Sequence, residues 1–151
     1  NWPEKLYLVI VDTGVKRSTG SVVLDVLKLY DRYSDILEHV YNAADRLTDR
    51  ALDCLVNNRF NELGDLININ HGLLSAIGVN IEVNDLIVHK LRQYGAKGAK
   101  TSGAGRGGVV YGLFIDLSIE DVENIVIKLS ELGYRTYVAK PINEGVKYCH
   151  V

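Results

Sequence analysis

The chain has 151 residues and a mass of 16.8 kDa, with 47% hydrophobic and 24% charged residues. That is enough apolar material for one domain to hold a core unaided, which excludes a disordered chain and a scaffold stapled by disulfides or metals. Seventeen Lys and Arg against nineteen Asp and Glu give a formal net charge of -2, so no basic excess favours nucleic acid or an anionic membrane, and no apolar run is long enough to span a bilayer.

The chain opens Asn1-Trp2-Pro3-Glu4 and contains no Met. A native start would carry Met, so the expectation is a piece of a longer protein or a chain processed upstream; no signal peptide opens it. Leu6 to Val11 is an apolar run bounded by Pro3 and Asp12-Thr13-Gly14, and it reads as a buried strand followed by a turn. From Ser18 the period becomes helical. Val22, Val23, Val26, Leu27, Leu29 and Tyr30 share a face, with Ser18 or Thr19 as N-cap. A second helix is expected from about Ser34 to Asn57 and a third from about Phe60 to Ile77, with Gly78 ending it. A fourth covers about Val83 to Gln93, and a glycine-dense segment runs from Gly95 to Gly108. Val109 to Asp116 is rich in β-branched and aromatic residues and predicts a strand. Ser118 caps a helix to Leu132, with Asp121 completing a capping box. Tyr134 to Ala139 is the next strand, and Gly145 to Val151 is expected as an edge strand. This order predicts an α+β sandwich: a mostly antiparallel sheet with helices on one face.

Cysteine and histidine carry little chemistry here. Cys54 lies among Leu52, Leu55 and Val56 and reads as a small buried hydrophobe; Cys149 is far from it in sequence. Neither forms a metal-ligand spacing, and a reduced cytoplasm is the default compartment. His39, His71, His89 and His150 make no metal motif.

The chemistry-bearing segment is Ser102-Gly103-Ala104-Gly105-Arg106-Gly107-Gly108. Clustered glycines allow positive φ and close backbone approach, and successive amides in such a loop can converge on one oxyanion. Gly103, Gly105 and Gly108 satisfy G-x-G-x-x-G, but that fingerprint needs a loop that opens a helix, and this one opens a strand. Gly95 to Thr101 resembles a Walker loop, yet Ala99 stands at its second glycine and no helix follows. A tight strand-to-strand connection without a ligand remains the plain alternative.

Gly95 to Gly108 resembles the third conserved motif of the superfamily of galactokinases, homoserine kinases, mevalonate kinases and phosphomevalonate kinases. Asp12-Thr13-Gly14-Val15-Lys16-Arg17-Ser18-Thr19 is similar to the segment of mevalonate kinases in which Arg-Ser-Thr or Arg-Asn-Thr opens a helix. Asn68-Ile69-Asn70-His71-Gly72-Leu73-Leu74, with Ile77-Gly78-Val79, resembles their asparagine-bearing helix and its turn. Gly145-Val146 fits the last strand of archaeal-type members. The match runs in order from Leu6 to Val146 and corresponds to the C-terminal half of such a kinase. The chain departs from the pattern at Thr101 and Ser102, where Leu and Thr are usual. Arg106 replaces a frequent glycine and His71 a frequent Gln.

The resemblance implies a ferredoxin-like C-terminal domain over residues 1–151 of a two-domain small-molecule kinase, whose N-terminal ATP-binding domain is absent from this chain. The activity it implies is transfer of the ATP γ-phosphoryl group to the 5-hydroxyl of mevalonate, a step of isoprenoid biosynthesis, with Mg²⁺. ATP, Mg²⁺ and the catalytic groups belong mainly to the N-terminal half, so no catalytic or metal-binding residue is assigned here. What remains for this chain is one wall of the cleft. Arg17, Ser18 and Thr19, at a helix N-terminus, suit an acceptor carboxylate; Ser102 to Gly108 would face phosphate. Partners implied are mevalonate, ATP and the N-terminal half, with a homodimer left open. A kinase acting on phosphomevalonate, or a non-catalytic binding or assembly domain on the same fold, are the alternatives.

Overall fold

The computed structural model describes residues 2–143; the edge strand expected over Gly145 to Val151 lies outside them. In chain order the elements are β1 (Leu6–Asp12), α1 (Thr19–Arg32), α2 (Ser34–Val56), α3 (Phe60–Ala76), α4 (Glu82–Gln93), β2 (Gly98–Ser102), β3 (Val109–Ile115), α5 (Ile119–Glu131) and β4 (Arg135–Ala139). The sheet runs β2-β3-β1-β4 and every neighbouring pair is antiparallel. With α4 before β2 and α5 before β4, this is the ferredoxin-like order. Helices α1 to α3 are an insertion between β1 and α4.

Alternation along β1 divides the core. Tyr7, Val9 and Val11 pack with Ile87 and Leu91 of α4 and with Val122 and Leu129 of α5. Leu6 and Leu8 point the other way, toward Phe60, Leu63 and Ile67 of α3 and Leu55 of α2. The expectation of helices on one face therefore holds for α4 and α5, while α2 and α3 lie against the opposite face. The physical reason is in the strands: successive apolar residues in β1 and β3 leave both faces needing cover.

The glycine-dense segment holds an unexpected strand, β2. Its sequence, GAKTS, lacks the β-branched alternation that marks β1 and β3. Small residues place it instead. A Cβ added to Gly98 would lie 2.8 Å from Cβ of Ile67, and one added to Gly64 would lie 2.7 Å from Cβ of Lys97. Two glycines thus let α3 lie directly on the strand. Asn68 of α3 completes the contact: its Nδ2 donates to the Lys97 carbonyl at 3.0 Å and its Oδ1 accepts from the Ala99 amide at 3.1 Å. A helix side chain so covers the backbone of an otherwise unpaired edge.

The helix ends follow local chemistry. Ser118 and Asp121 form a reciprocal capping box at α5, and Ser18 caps α1 by accepting from the Ser21 amide at 3.4 Å. Gly78, at φ 74°, follows the last residues of α3. The apolar face of α1 is a departure. Val22 is its one buried residue, while Val23, Leu24 and Leu27 are about half exposed.

Candidate functional site

A side-chain turn and two backbone hydrogen bonds bring the two sequence-predicted segments together. Asp12 Oδ1 accepts from the Gly14 amide at 2.9 Å and turns the chain at the end of β1. The Thr13 amide then donates to the Gly108 carbonyl at 2.8 Å, and the Gly108 amide to the Val15 carbonyl at 3.4 Å. The β1–α1 connection is thereby laced to the last glycine of the loop, and Arg17 arrives inside the loop's curve. A Cβ on Gly103 would stand 3.0 Å from Arg17 Nη2, and a Cβ on Gly108 would overlap the guanidinium outright. The missing side chains at Gly103 and Gly108 are the berth for Arg17. Its Nε is buried and has no hydrogen-bond partner among the described residues, an orphaned donor of the kind that calls for explanation. Ser18 and Thr19 follow at the helix start and are exposed. The Ser18 hydroxyl is engaged as the cap; Thr19 is the first helical residue.

The loop itself has two unlike halves. Gly103, Gly105, Arg106, Gly107 and Gly108 all have positive φ, from 52° at Arg106 to 109° at Gly107. The Arg106 amide donates to the Val79 carbonyl at 2.6 Å. The Gly107 amide donates to Oδ1 of Asn84 at 2.9 Å, and Asn84 Nδ2 returns a bond to the Gly107 carbonyl at 3.2 Å. Asn84 is wholly buried, so α4 holds Gly107 by both backbone groups. By contrast, the amides of Gly103, Ala104 and Gly105 donate to no acceptor among the described residues. The expectation that the whole span Ser102 to Gly108 turns its amides outward needs correcting. Arg106, Gly107 and Gly108 spend theirs inside the protein; a loop with so many left-handed residues has to be tethered.

The Arg106 side chain, in a segment expected to face phosphate, is instead bonded within the protein. Nη1 donates to Asp25 Oδ2 of α1 at 2.6 Å, and Nε donates to the Gly78 carbonyl at 3.4 Å. It reaches back to α1 and to the α3–α4 turn. The bond from Arg106 holds the Asp25 carboxyl below the ordinary aspartate range.

A polar cluster supports this turn. His71 of α3 is buried, with Nε2 3.0 Å from Asp85 Oδ1 of α4 and Nδ1 3.2 Å from Asn80 Nδ2. Asn80 also donates to the His71 carbonyl at 3.1 Å and to Ser75 Oγ at 2.7 Å. Burial lowers the His71 imidazole below the usual histidine value, against a smaller opposing pull from Asp85. Between these residues lies Val79, whose carbonyl holds Arg106 and whose Cβ would meet any side chain at Gly105.

The sequence singles out Arg17 and the loop, which the structure brings together, but not Asn84, Asp25 and Val79, which hold the loop. For Asn84 a signal exists: it occupies the helical stripe shared with Ile87, Val88 and Leu91, and an amide on an apolar stripe needs a buried partner. Asp25 sits on a half-exposed helix surface like many aspartates, and no local pattern separates it from them.

The assembled donors are a guanidinium, three unengaged amides and the N-terminus of a 14-residue helix. All present positive charge, and such a set accepts phosphate or carboxylate oxygens rather than a cation. Among the described residues no group of three His, Cys, Asp or Glu could hold a metal ion, and no helix is long and apolar enough to cross a membrane.

Comparison with known proteins shows the family of this chain. Residues 51–135 match the family model described as GHMP kinases C terminal. A mevalonate kinase of Aeropyrum pernix is 35% identical over 133 residues, covering 88% of this chain and 41% of the relative. One from Thermococcus sibiricus is 33% identical, covering 95% of this chain and 43% of the relative. Among solved structures, L. major mevalonate kinase in complex with R-mevalonate superposes with a TM-score of 0.81 at 34% identity, covering 91% of this chain and 43% of that one. The chain thus spans about two fifths of the length of these relatives. It belongs to the GHMP kinases and forms their C-terminal domain.

Proposed function

We propose that this chain is the C-terminal half of an ATP-dependent mevalonate kinase, which passes the γ-phosphoryl group of ATP to the 5-hydroxyl of mevalonate. The reading rests on one observation above the others: Arg17 lies within the curve of a glycine loop whose leading amides, Gly103 to Gly105, have no acceptor among the described residues. The names and coverage of the relatives agree with it.

In this reading Arg17, Ser18 and Thr19 sit at the acceptor end. The guanidinium takes the mevalonate carboxylate, and the helix start adds its partial positive charge. The amides of Gly103, Ala104 and Gly105 face the phosphoryl oxygens and offset the charge that spreads over them in the transition state. ATP and Mg²⁺ are held mainly by the N-terminal half. The donors on this side fit anionic oxygens and not Mg²⁺, so no carboxylate of this chain is given the metal or the role of base. The metal supplies charge neutralisation between the phosphates when bound. This chain contributes position and complementary charge.

The test is a phosphoryl-transfer assay on the full chain with its N-terminal half. Mevalonate is turned over with ATP, and residues 1–151 alone give no turnover. Replacing Arg17 by Ala raises KM for mevalonate about tenfold to a hundredfold, the loss expected of a charge-assisted hydrogen bond, and leaves KM for ATP nearly unchanged. An effect confined to ATP moves Arg17 to the nucleotide. Transfer to phosphomevalonate in place of mevalonate makes the chain part of a sister kinase.

A further inference from the structure

The side chain of Arg106 is the one cation that the sequence places within the glycine loop, and its position is unusual for a ligand-binding group. Its backbone adopts φ 52°, a left-handed conformation that disfavours a residue with a Cβ. Its guanidinium bonds to Asp25, 81 residues earlier, on the second turn of α1. Its own amide is bound to Val79 and its Nε to Gly78. Three bonds therefore tie this residue to two different elements, α1 and the α3–α4 turn.

Between its two ends helix α1 has little else to fix it: its start is laced to the loop through Thr13, Val15 and Gly108, and its far end meets α2, where the Tyr30 ring lies 5.7 Å from that of Tyr41 and the Tyr30 hydroxyl donates to Glu38 at 3.3 Å. Val22 is its one buried residue, and Val23, Leu24 and Leu27 are about half exposed. Yet α1 carries Arg17, Ser18 and Thr19 at its start, and these must stand at a set distance from Gly103 to Gly105 for both to act on one substrate. Apolar packing along this helix is thin, with Val26, Leu29 and Tyr30 only half-buried. A charged pair of 2.6 Å between the loop and the helix fills that gap.

We infer that Arg106 is a positioning residue, not a phosphate ligand: through Asp25 it locks α1 to the glycine loop and so sets the spacing between the acceptor-binding helix start and the phosphate-facing amides. The inference rests on the proposed kinase reading for its effect on turnover, but the lock itself is a property of this domain. The pair is half exposed, and pairs of that kind contribute little to global stability. Its consequence is geometric: a displacement of about 1 Å between catalytic elements can cost about a hundredfold in rate.

The experiment uses the full chain with its N-terminal half and four variants: Asp25→Asn, Arg106→Gly, Arg106→Asp, and the exchange Asp25→Arg/Arg106→Asp. Glycine tolerates the left-handed backbone at 106, and Asp tolerates it better than most residues. Two readouts are taken, steady-state kinetics and amide hydrogen exchange of residues 103 to 108. Asp25→Asn and Arg106→Gly each lower kcat about tenfold to a hundredfold, with less than threefold change in KM for ATP, and each speeds exchange in the loop. Arg106→Asp alone is the worst, and the exchange variant recovers at least tenfold over it while slowing loop exchange again.

Three results overturn the lock. One is normal kcat and exchange in Asp25→Asn. Another is an exchange variant no better than Arg106→Asp, which places Arg106 on the ligand. The third is a rise in KM for ATP as the main effect of Arg106→Gly. Should the wild-type protein transfer phosphoryl to no acceptor, the kinase reading fails, and loop exchange in the same variants still decides the lock by itself.

Discussion

The front of the glycine loop and its back are built for opposite purposes. Gly103 to Gly105 offer amides with no acceptor among the described residues; Gly103 is exposed, Ala104 half-buried and Gly105 buried. Arg106 to Gly108 are bonded to Val79, Asn84 and Val15, and Gly107 is buried. Their residue types are nearly the same, so composition does not make the difference. It lies in what stands beneath. Three anchors at the back hold a run of left-handed residues in place, and that lets the front stay rigid without using its own donors. The proposed anion site needs such a division, because amides that must reorganise when charge develops lose most of their value.

The most damaging change puts a side chain where front and back meet. At Gly105, φ is 82°, and a Cβ would strike the Val79 backbone and side chain. Gly105→Val should lower kcat/KM in the full chain by more than about a hundredfold, because the strained backbone and the clash both move the amides. A thermal melt measured alongside shows how far the domain has softened. Kinetics close to wild type would mean that the loop does not face the substrate and would remove the contrast between its halves.

Much of the scaffold was legible in the sequence, and the reasons are local. The apolar run from Leu6 to Val11 and the β-branched run from Val109 mark strands, and Ser118 with Asp121 marks a helix start; each signal depends on neighbours within a few residues. Strand β2 was not legible, because GAKTS owes its place to Gly64 and Asn68 on α3, some 30 residues away. The site divides in the same way. Arg17 and the glycines stand out as residue types, and the structure brings them together. The partner of Arg106 does not stand out, since Asp25 is joined to it through tertiary geometry alone. Even the one legible clue to the back of the loop, Asn84 on an apolar stripe, names a buried need without saying which backbone meets it.

The next changes separate the berth from the anchor. Gly108→Ala introduces a methyl group that overlaps the Arg17 guanidinium and should expel it, raising KM for the acceptor about tenfold or more. Gly95→Ala is the control: its φ of 98° is just as restrictive, nothing lies within 4 Å of the added atom, and it precedes β2, at the end of that strand opposite the loop. It should cost about 1 to 2 kcal/mol of stability and leave KM alone. Equal KM effects from the two would show that backbone strain, and not Arg17, is being read. Asn84→Leu tests the anchor. It keeps an apolar fit on α4 but strands the amide and carbonyl of Gly107, at a cost of about 1 to 3 kcal/mol in stability. Turnover should fall with acceptor KM nearly constant, the reverse of Gly108→Ala.

The smallest effect comes from the support one layer further down, where His71 touches Asp85 and Asn80. Burial lowers the imidazole below its ordinary value near 6.5, and the positive charges of Arg92 and Lys100 add to that, while Asp85 opposes it. The folded protein therefore binds this proton less readily than the unfolded chain does. Below a pH of about 6.5 the unfolded state takes up the proton first, so stability falls as the solution is acidified, by at most about 1.4 kcal/mol per pH unit, and levels off once the folded form is protonated too. Above that pH the full contribution is present. His71→Gln keeps a polar group there without a titrating proton, and urea unfolding of that variant between pH 5 and 7.5 should lose the part of the slope due to this residue. Because His71 steadies the turn that bears Val79, the same acidification should lower the protection of the Arg106 amide, measured against its intrinsic exchange rate at each pH, more than that of Gly103. Equal sensitivity of the two amides would show that the back of the loop is no better anchored than the front.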